Sequence, residues 1–444
     1  MIILKSATSV LKVMNKDILR KEGEKMKYKK YDFESFQIFT VKTDKFKNCY
    51  LEINFRDDIR NVNACKRNFL NLAMLYNSKK YPTKRDMIIA SEELYNIGFG
   101  GGTSRYGYNI ISTFNLDLLD PKYIKENDYL EKSLTFFFNM IMHPNVSDNM
   151  WQEEAYEVIK ERLHIQIESP KEKPASFARI QILEKLFSDS YSGKRLVGTH
   201  EELENITREN LYEEYLNMLR NSICEIVVVG NLDMDEVVKM IKKLFHKSAI
   251  VKKEIPITIQ NPMKPYKKET MQKNYNQTIL NMIYQLDELT FFEQNFVVPI
   301  FDRIFGYGAL SDKLGKYLRS ENSLCYGYTT DFVLKDAYLA ITTGLTKENV
   351  GLAIECIKKA YQEMHDGIFT EEELETAKKK HLSDAVLQLD NIYTIADKYY
   401  YHEAFKRASF EEVEKEIPKV TKKDLCALAK KMHLTYTFIM EEGE

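Results

Sequence analysis

The chain of 444 residues holds one tryptophan, 10 prolines and only 6 cysteines. Cys49, Cys65, Cys224, Cys325, Cys356 and Cys426 are scattered without a Cys-x-x-Cys pair, which argues against a disulfide framework or a thiolate zinc knuckle and fits a reducing compartment. Charge of one sign is also lacking: 64 Lys+Arg stand against 66 Asp+Glu, so nothing marks nucleic acid or an anionic membrane as a partner. No apolar run is long enough to span a bilayer. The opening MIILKSATSVLKVMNKDILR begins apolar, but Lys5, Lys12, Lys16 and Arg20 interrupt it before a signal-peptide core is complete, so a cytoplasmic protein is expected. The 8 histidines are isolated, and no two share a helical turn. What remains is a composition of 44% hydrophobic and 12% aromatic residues, that of a folded globular chain long enough for two or three domains.

The segment His246 to Gln277 is lysine-rich and holds Pro256, Pro262 and Pro265, which reads as an exposed, extended connector. It divides an N-terminal unit, 31–245, from a C-terminal unit, 278–444, with an extension at 1–30 and the linker at 246–277. In the first unit a strand at Tyr50 to Phe55 precedes a helix carrying Cys65, Phe69, Leu72 and Tyr76 at three- to four-residue spacing. A second helix around Thr83 to Leu94, a glycine turn at Gly98 to Gly102 and a β-rich stretch from Tyr106 to Leu119 follow. The second unit repeats the order: a strand from Thr278, a helix from Phe292 to Phe305, a glycine turn at Gly306, a short helix from Ser311 to Arg319 and a β-rich stretch from Tyr326. An offset of about 230 residues is too long for a solenoid repeat and suits a duplicated domain.

Amphipathic helices complete each unit. Trp151, Ala155, Val158 and Ile159 form one stripe along Trp151 to Ile167, and Leu211 to Leu219 is a further helix. Cys224 to Gly230 reads as a buried strand, while Asp233 with Glu236 and Thr370 with Glu373 have capping-box spacing. The fold class expected is α+β, with helices packed on largely antiparallel sheets.

Several motifs carry no chemistry. Gly98 to Gly102 has neither a P-loop ending nor dinucleotide-site spacing and reads as a structural turn. The aromatics between Tyr393 and Phe405 recur at helical spacing and read as core. Lys378, Lys379 and Lys380 read as the solvated face of a helix that opens with Glu371, Glu372 and Glu373, the charge order its dipole favours. His164 lies one turn after Glu161, but no second histidine is near it in sequence.

Gly306, Gly308, Ser311, Leu314, Leu318-Arg319 and Leu324-Cys325-Tyr326 resemble the C-terminal signature of the insulinase-like M16 metallopeptidases, and the resemblance runs over nearly the whole chain. The stretches Gly198 to Leu219 and Cys224 to Asp233 look like family segments too. The ending YTFIMEEGE and TKRDMIIASEELYNIGFGG look closest to the bacterial subgroup associated with elongation factor P 5-aminopentanol modification. The resemblance implies two homologous α/β-sandwich domains of the LuxS/MPP-like (M16) type. It also implies a substrate-binding, transition-state role for Arg319 and Tyr326, a guanidinium and a phenol suited to holding a carbonyl and a developing oxyanion. Tyr328 is the alternative phenol.

Active relatives carry His-x-x-Glu-His, two imidazoles for zinc and a glutamate for water. The matching positions here are Asn68, Asn71 and Leu72, which supply neither ligands nor a base. Glu154 and Glu161 have the spacing of the family's paired glutamates and, without the histidines, read as polar helix face. The resemblance therefore implies no cofactor on this chain, zinc in a His-x-x-Glu-His partner subunit, and a heterodimer enclosing a peptide substrate. The alternative is a catalytically inert M16-fold scaffold.

Overall fold

The computed structural model describes residues 26–247 and 254–443. Most of the expected extension at 1–30, including its interrupted apolar run, lies outside the described residues, as do linker residues 248–253. The strands are β1 (Lys27–Asp32), β2 (Gln37–Lys42), β3 (Asn48–Asp58), β4 (Gly98–Tyr106), β5 (Asn109–Leu119), the short β6 (Val146–Ser147) and β7 (Met150–Trp151), β8 (Ile223–Gly230), β9 (Lys267–Lys273), β10 (Thr278–Leu286), β11 (Tyr328–Val333), β12 (Tyr338–Leu345) and β13 (Met432–Glu442). The helices of the first half are α1 (Ala64–Met74), α2 (Lys84–Glu93), α3 (Tyr129–Met142), α4 (Glu153–Glu168), α5 (Pro174–Leu186), α6 (His200–Glu204), α7 (Arg208–Asn221) and α8 (Met234–Leu244). Those of the second are α9 (Val298–Phe305), α10 (Val350–Asp366), α11 (Glu371–Leu387), α12 (Ile392–Phe405), α13 (Phe410–Glu416) and α14 (Lys422–Lys430).

Two sheets organise these elements. The first runs β1-β2-β8-β3-β5-β4 and the second β11-β12-β10-β13-β9. Read from β2 and from β9, the two have the same order, each with one parallel pair, β2 with β8 and β9 with β13, and otherwise antiparallel neighbours. The fold is thus two α+β domains of matching topology.

Strand β8 explains its own composition. Ile226 and Val228 enter a core shared with α1, α3 and α4, while Val227 and Val229 enter another on the opposite face, so an uninterrupted apolar run is required. That opposite face is covered by α12 from the second half, through Ile392, Ile395, Ala396, Tyr400 and Phe405. Reciprocally, α5 of the first half lays Ala178, Ile182 and Leu186 on Ile279 and Ile283 of β10 in the second sheet. Each domain roofs one face of the other, and each buried aliphatic side chain is worth about 1.5–3 kcal/mol.

Four expectations are corrected. Gly98–Tyr106 is an edge strand rather than a turn, because glycine lets β4 approach β5: at Gly101, with φ +151°, a Cβ would lie 2.0 Å from the Thr113 carbonyl oxygen. The connector reading fails at its end, where Lys267–Lys273 pairs with β13, and Ile255 and Ile259 are buried. Val158 leaves the stripe of Ala155 and Ile159 and is 44% exposed. Lys378 is buried, its ammonium donating to Glu375 and to the Pro418 carbonyl, so it is no part of a solvated face.

Candidate functional site

Helix α1 begins at Asn63, whose side chain accepts from the Lys66 N–H at 2.8 Å, and packs through Cys65, Phe69, Leu70, Ala73 and Met74. Phe69 stacks on Tyr156 of α4 at 5.1 Å. Arg67 is fully buried and held by Asp57 at 2.9 Å and Glu214 at 2.7 Å, an ionic anchor the sequence reading did not identify. Removing one member of such a group leaves an uncompensated buried charge, so α1 is fixed to β3 and α7.

On this fixed helix Asn68 and Leu72 are half-buried and Asn71 is buried. The Asn71 amide donates at 3.2 Å to the Thr113 carbonyl, the same oxygen that a Cβ at Gly101 would strike. Asn71 is therefore a tie between α1 and β5. Glu154 is exposed and accepts from the Tyr76 hydroxyl at 3.3 Å, and Glu161 is exposed. The asparagine side chains at 68 and 71 and the leucine at 72 do not fit zinc, and among the described residues no group of three or more His, Cys, Asp or Glu side chains is placed to hold a metal ion.

Arg319 lies in the π-type turn Gly315–Ser320, a wide turn found often at functional positions. The following loop is closed by Ser323 N–H to the Arg319 carbonyl at 3.0 Å and Leu324 N–H to the Leu318 carbonyl at 2.8 Å, with Leu318 and Leu324 buried. Between those anchors the Arg319 guanidinium is half-buried and has no hydrogen bond or ion pair with the described residues. Tyr326, beyond Leu324, is 100% exposed and likewise has none.

Tyr328, the alternative phenol, is built into the fold. Its hydroxyl donates to Asp312 Oδ1 at 2.5 Å, and burial followed by that bond pushes its pKa up. Asp312 also accepts the N–H groups of Gly308, Ala309 and Gly315 at 3.0, 2.8 and 2.7 Å. A Cβ at Gly315 would sit 2.0 Å from the Ala309 carbonyl oxygen, so glycine permits this closure. Asp312 escaped the sequence reading, although an aspartate four residues after Gly308 and just ahead of a helical turn has the chemistry of a turn cap.

The duplicated α+β fold is similar to that of M16-like proteins of known structure. Residues 205–380 match the family described as the peptidase M16 inactive domain. The chain is 22% identical over 407 residues to the probable inactive metalloprotease YmfF of Bacillus subtilis (strain 168), covering 91% of this chain and 95% of that protein. Among solved structures it is similar to a conserved protein from Enterococcus faecalis V583, with TM-score 0.86, 23% identity, and coverage of 94% and 99% of the two chains. It is also similar to the peptidase M16 inactive domain from Pseudomonas fluorescens, with TM-score 0.75, 16% identity, and coverage of 94% and 98%. Among the described residues no helix is long and apolar enough to cross a membrane.

Proposed function

We propose that this chain is the non-catalytic subunit of a heterodimeric, cytoplasmic zinc peptidase of M16 type, inactive alone, in peptide processing or degradation. The zinc and the water-activating glutamate belong to a His-x-x-Glu-His partner, and this chain contributes Arg319 and Tyr326 toward the substrate carbonyl. The carrying observation is the contrast around the π-type turn. Leu318, Leu324, Asp312 and Tyr328 are buried, the last two hydrogen-bonded to one another, whereas the half-buried Arg319 guanidinium and the wholly exposed Tyr326 phenol, the two groups with oxyanion-donor chemistry, have no hydrogen-bond or ion-pair partner among the described residues. A boundary between the halves within 246–277, ahead of β9, and kinship with the elongation factor P 5-aminopentanol modification-associated subgroup are part of this reading.

The test is reconstitution with a His-x-x-Glu-His M16 subunit from the same genome and an unstructured peptide. The pair is expected to cleave and neither chain alone. Cleavage undiminished by Arg319→Ala and Tyr326→Phe together would remove the assigned roles. The second reading, an inert scaffold, is favoured by Asn71, whose side chain is committed to a structural bond where an active enzyme keeps its base. It predicts a stable complex whose activity is indifferent to both substitutions.

A further inference from the structure

His164 and His200, far apart in sequence, meet between α4 and α6. Their Nδ1 atoms are 2.9 Å apart, and the ring centroids are 5.1 Å apart with planes within 20°. With the nitrogens that close and the centroids that far, the rings lie end to end, as an in-plane hydrogen bond requires. The outer nitrogens face carboxylates: His200 Nε2 is 2.6 Å from Glu168 Oε1, and His164 Nε2 is 3.1 Å from Glu204 Oε1. Each helix thus supplies one histidine and one glutamate.

The hydrogens in this row can be counted. Three contacts, carboxylate to imidazole, imidazole to imidazole and imidazole to carboxylate, need three N–H hydrogens. Two neutral imidazoles carry two, because each has one donor and one acceptor nitrogen. The carboxylates bring none: Lys171, then His200, hold Glu168 down to about 2, and Lys160, then His164, hold Glu204 below its usual range. With two hydrogens, one contact must set a lone pair against a lone pair or against a carboxylate. With three, every contact is a hydrogen bond and each has an ionised donor or acceptor.

We propose that the His164–His200 pair is a proton-operated latch, in which uptake of one proton into the Nδ1–Nδ1 contact fastens segment 197–204 to α4 and its loss frees that segment from its seat beside α1. The seat is close-packed: the Cys65 thiol donates to the Val197 carbonyl at 3.1 Å, and a Cβ at Gly198 would lie 2.6 Å from Cys65 Cβ. Charged groups around the row are Lys160, Glu161 and Glu168 on α4, Lys171 after it, Arg195 on the loop, and Glu201, Glu202 and Glu204 on α6. Arg195 is taken by the Gln166 and Ile167 carbonyls, and Glu202 accepts the Thr199 N–H, so neither neutralises the row. Burial pushes the Cys65 thiol up to about 12, so α1 presents no titrating charge there.

Hydrogen exchange of peptides spanning 194–206 in the full chain tests the latch, with intrinsic exchange rates corrected for pH. One proton changes the closed-to-open ratio by at most about tenfold per pH unit. Protection is expected to rise by about tenfold or more from pH 7.5 to 5.5, and the rise should vanish in His164→Gln and in His200→Gln. A rise that persists in both variants overturns the proposal. Side-chain 15N spectra of the wild-type histidines give a readout independent of variant folding. Both Nε2 atoms should carry hydrogen while the two Nδ1 resonances shift together, and two independent titrations with unlike tautomers would equally overturn it.

Discussion

Tyr328 donates to Asp312 at 2.5 Å, while Tyr326, two residues earlier on the same strand approach, is wholly exposed. The two phenols therefore separate by experiment. Tyr328→Phe withdraws a hydroxyl from a buried carboxylate and is expected to cost about 1.5–3 kcal/mol in urea unfolding. Tyr326→Phe should leave stability within about 0.5 kcal/mol of the parent. Equal losses in the two variants would contradict this division of labour.

Reconstituted activity should respond in the opposite sense. Tyr326→Phe and Arg319→Ala are each expected to lower kcat/KM for peptide cleavage by about 10²-fold, the scale of losing one oxyanion donor. Zinc bound to the partner, measured by metal analysis, should not change.

Replacing Asn71 by glutamate is expected to destabilise the chain. Asn71→Glu replaces a donor to the Thr113 carbonyl by a carboxylate at a fully buried position, costing about 2 kcal/mol or more by chemical denaturation. A variant as stable as the parent would mean that the Asn71–Thr113 tie contributes little.

Buried Glu52 and half-buried His381 oppose one another in pH dependence. Burial, then Asp397, raises Glu52 to about 7, so between the ordinary carboxylate range and pH 7 the folded chain holds a proton the unfolded chain has lost, and stability from this group falls as pH rises. Burial, then Arg303, lowers His381 to about 4. The unfolded chain then holds the extra proton between pH 4 and about 6.5, and stability from His381 rises with pH across that window. Glu52→Gln is expected to shift the slope of unfolding free energy between pH 5 and 6.5 toward a rise with pH, and an unchanged slope would count against the burial assigned to Glu52.

Ile395→Ala on α12 should destabilise by about 2–4 kcal/mol, because the side chain is fully buried in the core over the first sheet. Residues 26–247 expressed without the second half should fail to give a cooperative thermal transition, since Val227 and Val229 would lose their cover.

Local patterning made much of this legible. The three- to four-residue period through Cys65 and Phe69 located α1, the apolar run at Cys224 located β8, and the repeated element order exposed the duplication. Misreadings arose where tertiary context decides. Gly98–Gly102 has turn composition, yet the close approach of Thr113 makes those glycines strand residues. The aromatics of α12 announced a buried helix but not which sheet they cover. His164 looked solitary because its partner is 36 residues away, joined only by the packing of α4 on α6.

The exchange of α5 and α12 also constrains motion. Hinge-opening between the halves would strip one face from each sheet at once, so this chain behaves mechanically as a single block. In the two-chain chamber proposed above, admission of a peptide would then fall to the seam between the subunits, making the gate a property of the pair rather than of either chain.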